Sequence, residues 1–157
     1  KATNTISGPY DDVAIPRKSK KTDWEVELAI VIKNDMLYSK DEDEAAQAIG
    51  GYCIIHDVSE REFQIERGGQ WVKGKSCPGF SPVGPFLVTP DEIPDILNLK
   101  MSLKVNGVDM QNGNTSTMIF KPAFLVHYIS KFRQFEDEEI ITTGTSPVAV
   151  VGTPPTE

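Results

Sequence analysis

The ten residues DWEVELAIVI, Asp23 to Ile32, restrict the fold of this chain more than any other segment. Read with a period of two, one face carries only apolar side chains: Trp24, Val26, Leu28, Ile30 and Ile32. Glu25 and Glu27 fall together on the opposite face. The alternation, together with the β-branched residues toward the end, favours a β-strand over a helix.

Two carboxylates on one face of a strand need an explanation. The side chains of Glu25 and Glu27 start roughly 7 Å apart and repel each other unless water or a cation lies between them. A half-exposed strand with a solvated acidic face is one interpretation, because antiparallel sheets often have one wet face. A cation site is the other, and the short E-x-E pattern alone does not decide between them.

Size and composition predict one globular domain, residues 1–157, with 39% hydrophobic and 25% charged residues. The net charge of -7, from 16 basic and 23 acidic residues, argues against nucleic acid as a partner. No apolar run reaches the roughly 18 residues of a membrane span, so no membrane partner is expected. Cys53 and Cys77 have neither zinc-type nor redox-type spacing, and we expect two free thiols in a cytoplasmic protein.

The middle of the chain predicts a helix, a strand and a second helix. The acidic run DEDE opens a short alanine-rich helix that we expect to stop at Gly50-Gly51. GYCIIHDV is a strand that ends near Asp57. Ser59 and Glu62 have the spacing of a capping box, which predicts a helix starting after Ser59.

A glycine-rich and proline-rich segment follows, from Gly68 to Pro85. Its composition predicts an irregular loop, and a loop of this length in a small domain is usually functional or disordered. Trp71 and Phe80 are expected to be interior residues that keep it ordered.

The last third predicts a hairpin, a helix and a strand. Asn106-Gly107 is a two-residue hairpin turn. Pro122 to Phe132 is a helix with His127 beside one apolar stripe, which consists of Phe124, Leu125, Tyr128, Ile129 and Phe132. We expect His127 to be a structural or surface residue. Glu139 to Pro147 is a strand that runs into a Gly-Thr turn, which completes a strand-rich α+β domain.

Three carboxylates, Glu25, Glu27 and Asp57, lie at or near predicted strand positions, and Lys75 lies in the glycine-rich segment. Oxygen ligands without a cysteine or histidine pair suit Mg²⁺, Mn²⁺ or Ca²⁺ rather than zinc. A nearby lysine can neutralise an anionic substrate. The spacing alone leaves the distance between Glu27 and Asp57 open.

Five blocks, in order along the chain, resemble the fumarylacetoacetate hydrolase family: DWEVELAIVI, GYCIIHDVSEREFQ, GGQWVKGKS leading to PVGPFLVTPDEI, VNGVDMQNGNTSTMIF and TTGT. The resemblance extends to about Thr145. It implies a mixed β-sandwich roll with an active site at its mouth, where Glu25, Glu27 and Asp57 hold a divalent cation, usually Mg²⁺ or Mn²⁺. It also implies a homodimer.

The resemblance assigns Lys75 as a catalytic and substrate-binding residue, and Gln64 and Thr145 as substrate contacts. It implies hydrolytic cleavage of a carbon-carbon bond in a diketo acid, either an acylpyruvate or a 2,4-diketo-3-deoxy sugar acid. SEREFQIERGGQWVKGKSC looks most like the members that act on 2,4-diketo-3-deoxy-L-rhamnonate. Relatives with the same ligands decarboxylate oxo acids or isomerise unsaturated dioates, so these reactions stay open.

The chain departs from the family pattern in several places. The upstream N-Y-x-x-H block, whose histidine serves as the hydrolytic base in the family, has no counterpart in these residues. Cys77-Pro78-Gly79 follows Lys75-Ser76 where many members carry x-D-T, and Ser146 to Val150 replaces a glycine-rich continuation. We therefore expect an incomplete catalytic domain without its final strands, and a non-catalytic truncated homologue is the rival hypothesis.

Overall fold

The computed structural model describes residues 1–145, which form a strand-rich α+β fold as predicted. Its strands and α-helices are β1 (Ile6–Ser7), β2 (Thr22–Asp23), β3 (Val26–Ile32), α1 (Glu42–Gln47), β4 (Ile49–His56), β5 (Ser59–Glu60), α2 (Val72–Lys75), β6 (Ser81–Pro82), β7 (Lys100–Val105), β8 (Val108–Asn114), α3 (Pro122–Ser130) and β9 (Ile140–Thr142). The predicted strand from Asp23 to Ile32 is divided, because Asp23 pairs with β5 while Val26 starts β3.

The central sheet is antiparallel, and β3 lies in its middle between β4 and β9. Val26 pairs with His56 on one side, and Ala29 pairs with Thr142 on the other. Every residue of β3 except Val31 is buried, so the interpretation of this strand as having a solvated acidic face is wrong. The sheet packs against α1 and α3 over one apolar core: Leu28, Ile30, Ile32, Ala45, Ile49, Tyr52, Val126, Phe135 and Ile141.

Gly50 and Gly51 do not end the first helix; both lie inside β4. Asp41 caps α1 as expected of its acidic start, since its side chain accepts a hydrogen bond from the Glu44 backbone N–H. A Cβ on Gly51 would lie 2.8 Å from the Val88 carbonyl oxygen, and a Cβ on Gly50 would lie 2.8 Å from the Lys33 Cβ. The two glycines allow close packing around β4. The prediction that they end the helix overlooked this role.

The predicted capping box at Ser59 is wrong. Ser59 lies in β5 opposite Asp23, and its hydroxyl donates to the Asp57 carbonyl oxygen at 2.9 Å. The backbone N–H of Glu62 instead donates to the Glu60 carboxylate at 3.0 Å. A single π-helical segment, Glu62–Glu66, follows.

The glycine-rich segment contains regular structure where a loop was predicted. It forms α2 and the short strand β6, which pairs in parallel with β1. Phe80 is fully buried, as expected, but Trp71 is 63% exposed, so its interior placement is wrong. Lys75 ends α2 rather than lying in a loop.

The hairpin of β7 and β8 confirms the Asn106-Gly107 turn, and both turn residues have positive φ, 51° and 81°. Helix α3 starts at Pro122 as predicted and ends at Ser130. Its buried face contains Val126, and the predicted apolar stripe is wrong in part. Tyr128 is half exposed and Phe132 mostly exposed, because the aromatic side chains stack along the outer face of the helix.

His127 is a structural residue, as expected: its Nδ1 lies 2.7 Å from the Ser39 hydroxyl. Cys53 and Cys77 are free thiols. Across residues 1–145 no helix has the length and apolar character needed to cross a membrane.

Candidate metal centre and substrate cleft

Glu25, Glu27 and Asp57 converge in the fold. One carboxylate oxygen of each lies within 4.8 Å of the others. Glu27 is in β3, Glu25 directly precedes β3, and Asp57 directly follows the paired strand β4. The Asp57 backbone N–H donates to the Glu25 carbonyl oxygen at 2.8 Å, which fixes this junction. Antiparallel pairing thus places the start of one strand beside the end of the next.

All three carboxylates are buried, with Glu27 only 2% exposed. Buried anions in this number require positive partners or a bound cation, because removing a charge from water costs several kcal/mol. The surrounding cations are therefore part of the same site.

Lys75 bridges two of the carboxylates. Its Nζ donates to Glu25 Oε2 at 2.7 Å and to Asp57 Oδ2 at 2.7 Å. Lys1 forms an ion pair with Asp57 and donates to the Val58 carbonyl oxygen at 2.9 Å. Burial, opposed by the contact with Asp57, lowers the pKa of Lys1.

Arg61 holds the other end of the cluster. Its guanidinium forms ion pairs with Glu25 and with Asp23, the latter at 2.8 Å. It also donates to Gln64 Oε1 at 2.9 Å. One side chain therefore orients a predicted metal ligand and a predicted substrate contact.

Glu27 differs from its two neighbours, because within residues 1–145 it has no ion-pair partner. The Gly144 backbone N–H donates to its Oε2 at 3.0 Å. Burial, followed by the negative charge of Asp57, raises the pKa of Glu27 to about 8. A hard divalent cation fits this donor set, since it would supply the missing positive charge to three oxygen ligands.

The predicted substrate contacts lie around one cleft of about 440 Å³ that also contains the carboxylates. Gln64 comes from the π-helical segment, Lys75 from α2 and Thr145 from the end of the described chain. Gly74 lets α2 approach closely, because a Cβ there would lie 2.4 Å from the Glu60 carbonyl oxygen and 2.6 Å from the Gln64 Cβ. The structure thus brings together all six predicted site residues.

Thr145 is tied to the strand that carries Glu27. Its hydroxyl donates to the Val26 carbonyl oxygen at 3.1 Å and accepts from Gln111 Nε2 at 2.8 Å. Gln111 Oε1 in turn accepts from the Val26 backbone N–H at 2.8 Å. Through Gln111, the β7–β8 hairpin therefore holds both Thr145 and the start of β3 in place.

Sequence reasoning missed Lys1, Arg61 and Gln111. Arg61 carried a weak signal, since a cluster of acids in one strand calls for a nearby cation. Gln111 is a buried polar residue in an otherwise ordinary hairpin strand, and Lys1 gave no local signal. Neither His56 nor His127 lines the cleft formed by the described residues.

Comparison with known proteins gives a consistent result. The family model described as fumarylacetoacetate (FAA) hydrolase C-terminal matches residues 1–156. A protein of Burkholderia ambifaria named "Putative hydrolase" is 50% identical over 155 residues, which cover 99% of this chain and 55% of that protein. A Burkholderia cenocepacia protein with a similar name has the same identity and coverage. The chain thus spans about half the length of the curated relatives it matches.

Solved structures agree with the fold. The 2-hydroxyhepta-2,4-diene-1,7-dioate isomerase from Mycobacterium marinum has a TM-score of 0.86 and 34% identity, covering 93% of this chain and 56% of that one. The 5-carboxymethyl-2-hydroxymuconate delta-isomerase from Mycobacterium smegmatis has a TM-score of 0.86 and 32% identity, covering 92% and 56%. A fold similarity this close, with a family match over almost every residue, confirms the predicted family. The chain belongs to the fumarylacetoacetate hydrolase family.

Proposed function

We propose that the protein containing this chain is a divalent-metal-dependent hydrolase that cleaves a carbon-carbon bond in a diketo acid and releases pyruvate or a similar acid. The substrate class includes acylpyruvates and 2,4-diketo-3-deoxy sugar acids. The observation that carries the proposal is the convergence of Glu25, Glu27 and Asp57 with Lys75 in one cleft.

The proposed metal ligands are Glu25, Glu27 and Asp57, and Mg²⁺ or Mn²⁺ suits them best, with Ca²⁺ also matched by oxygen donors. When bound, the cation would supply Lewis-acid stabilisation of negative charge on the substrate's oxygen atoms. Arg61 and Lys1 keep Glu25 and Asp57 oriented and offset part of their mutual repulsion.

The proposed reaction adds water to the distal keto carbon and breaks the bond from that carbon to the adjacent methylene. The electron pair of the broken bond passes to the pyruvate fragment, which then takes a proton at the methylene carbon. Lys75 would hold its proton at Nζ and stabilise the developing negative charge. Its hydrogen bonds to Glu25 and Asp57 hold that ammonium next to the proposed metal ligands.

Gln64 and Thr145 would orient the substrate. The Gln64 Oε1 is already engaged by Arg61, so its amide N–H groups are the ones offered to a substrate oxygen. Thr145 is held by Val26 and Gln111, which fixes its hydroxyl in the cleft wall. Because its proton is donated to the Val26 carbonyl oxygen, the Thr145 hydroxyl is left as an acceptor for a substrate O–H. Groups held in place in this way reduce the entropy cost of positioning the reacting atoms.

The first test is a Mn²⁺ titration followed by electron spin resonance, with and without oxalate as a mimic of the pyruvate fragment. We expect one tight site that oxalate perturbs. Glu27→Gln should abolish tight binding, whereas Glu92→Gln, an exposed glutamate outside the cleft, should not. Equal Mn²⁺ binding by the two variants would refute the metal site.

The second test is pyruvate release from acetylpyruvate, measured with lactate dehydrogenase. Lys75→Met should lower kcat at least 100-fold while leaving the protein folded. If the protein binds the metal and oxalate but releases no pyruvate, the proposed hydrolase activity is refuted.

Isomerisation of an unsaturated dioate is the second candidate, because two structures with the same fold are named as isomerases. An isomerase would change the ultraviolet absorbance of such a substrate without releasing pyruvate. The two assays, run on the same preparation, therefore separate the two reactions.

A further inference from the structure

The cleft has a charged end, formed by the carboxylates and their cations, and an apolar end, formed by Trp71 and Val72. The proposed reaction uses only the charged end. Trp71 and Val72 line the same cleft as the carboxylates, yet they are 63% and 53% exposed. Ligand clefts are lined mostly by apolar side chains with a few polar groups, so this adjacent apolar pair in the wall of the cleft indicates a binding surface.

Helix geometry places this pair relative to the reacting end. Val72, in α2, and Trp71, the N-cap of α2 with helical backbone angles, precede Lys75 by three and four residues, so they lie on the same side of the helix as Lys75. One helical turn advances about 5.4 Å. A substrate whose carboxylate end lies near Lys75 would reach Trp71 and Val72 with the part of its chain beyond the second keto group.

The positive charges of the cleft are all engaged at the other end. Among the residues that the structure describes, Lys1 pairs with Asp57, Arg61 with Asp23 and Glu25, and Lys75 with Glu25 and Asp57. No further lysine or arginine of residues 1–145 lines this cleft. Within residues 1–145, therefore, no cation in the cleft lining is left to pair with a second carboxylate at the Trp71 end.

A tail rich in hydroxyl groups also fits this end poorly. Burying a hydroxyl without a hydrogen-bond partner costs free energy, and neither the Val72 side chain nor the face of the Trp71 ring offers a conventional partner. A flat or branched apolar tail gains from contact with both side chains.

We propose that Trp71 and Val72 form the specificity subsite for the substrate tail, and that the protein acts on 2-oxo acids with an aromatic or alkyl tail in preference to sugar acids or dioic acids. The inference rests on the proposed function, because it takes the carboxylate end of the substrate to lie at the metal centre. It narrows the substrate class to acylpyruvates with an apolar acyl group.

The test measures binding by calorimetry with saturating Mg²⁺ and three probes that lack the second keto group and cannot be cleaved. Oxalate has no tail, 2-oxo-4-phenylbutanoate has an apolar tail, and 2-keto-3-deoxygluconate has a polyhydroxylated one. We expect the phenyl compound to bind at least tenfold more tightly than the sugar acid.

The variants locate the effect. Trp71→Ala should weaken 2-oxo-4-phenylbutanoate at least tenfold and oxalate less than twofold. Val72→Thr, which keeps the shape and adds a hydroxyl, should weaken the phenyl compound about threefold. Phe132→Ala, at an exposed aromatic residue just after α3, should change nothing. Both cleft residues are exposed, so these variants should keep the wild-type melting temperature.

The outcomes are distinct. Failure of oxalate to bind refutes the proposed function and this inference with it. Normal oxalate binding, with Trp71→Ala leaving the phenyl compound unchanged or with the sugar acid binding more tightly, refutes the subsite alone. Trp24 is buried, so a blue shift of fluorescence on binding the phenyl compound, lost in Trp71→Phe, gives an independent check.

Discussion

At the scale of single residues, Arg61 connects three buried polar side chains beside the cleft. Its guanidinium contacts Asp23, Glu25 and Gln64, and its side chain is only 15% exposed. Removing one partner of a buried ion pair leaves an uncompensated charge, which is the costly case for buried electrostatics.

Arg61→Met should therefore lower the free energy of unfolding by about 3 kcal/mol in metal-free buffer. Arg67→Met is the matched control, because Arg67 pairs with Glu62 at an exposed position and should contribute at most about 1 kcal/mol. Urea denaturation followed by circular dichroism measures both. Equal losses in the two variants would contradict the role assigned to Arg61.

Gly74 is a second residue at this scale, because its close neighbours leave no room for a side chain. Gly74→Ala would place a Cβ 2.4 Å from the Glu60 carbonyl oxygen, a backbone atom that cannot move alone. We expect a loss of about 2 kcal/mol in stability and weaker oxalate binding, because α2 must shift and Lys75 ends that helix.

Lys73→Ala in the same helix tests whether α2 tolerates change in general. Lys73 is exposed, and its ammonium donates to the Arg67 carbonyl oxygen at 2.8 Å. Its replacement should stay within about 0.5 kcal/mol of the wild type. A wild-type urea midpoint for Gly74→Ala would show that α2 packs less closely than described.

At the scale of elements, the β7–β8 hairpin supports a site to which it contributes no metal ligand. Gln111 on β8 accepts from the Val26 N–H and donates to Thr145, so one buried amide connects the hairpin to β3 and to the cleft wall. Gln111 is 2% exposed.

Gln111→Leu should cost about 1 to 3 kcal/mol, because the Val26 N–H would be buried without an acceptor. The same variant should weaken binding of oxo acids by freeing Thr145, whereas Asn112→Leu, at the neighbouring exposed position, should do neither. Denaturation and oxalate titration of both variants decide this. Unchanged oxalate affinity in Gln111→Leu would argue against the proposed role of Thr145 as a substrate contact.

Local patterns predicted the elements that depend on neighbours in sequence. The alternation around Glu25 and Glu27 predicted a strand, and Asn106-Gly107 predicted its hairpin correctly, since both signals act over a few residues. The prediction that Gly50-Gly51 ends a helix was wrong, because a double glycine also allows close packing in a strand. Only the positions of Lys33 and Val88 reveal that packing. Trp71 misled because a large apolar residue predicts burial unless it lines a cleft.

The acids and Lys75 of the candidate site could be proposed from the sequence, chiefly through family resemblance, whereas its supporting contacts could not. Lys1 meets Asp57 across 56 positions and Arg61 meets Glu25 across 36. Contacts at such separations follow from the finished topology, so no local pattern encodes them.

At the scale of the whole molecule, the proposed metal site predicts that stability depends on the cation concentration. The chain has a net charge of -7, and three of its carboxylates are brought together and buried. A cation that binds only the folded state adds stability by mass action, about 2.7 kcal/mol at a concentration 100 times its dissociation constant.

We therefore expect Mg²⁺ to raise the urea midpoint of the wild-type protein in proportion to the logarithm of its concentration. Glu27→Gln should show no such rise and should be at least as stable as the wild type without metal, because it removes a carboxyl group that burial and the charge of Asp57 make costly to ionise. Glu92→Gln serves as the control with normal Mg²⁺ dependence. A Mg²⁺ response in Glu27→Gln equal to that of the wild type would contradict a site built on the three acids.

The separation in sequence between the two walls of the cleft also predicts an order of folding. The carboxylates come from β3 and the end of its hydrogen-bonded neighbour β4, whereas Thr145 reaches Val26 across 119 positions. Closing a longer chain segment costs more entropy, so the nearer pairing should form first. In stopped-flow refolding, Mn²⁺ should bind in an earlier kinetic phase than oxalate, and the protein would acquire its cation before it can hold a substrate.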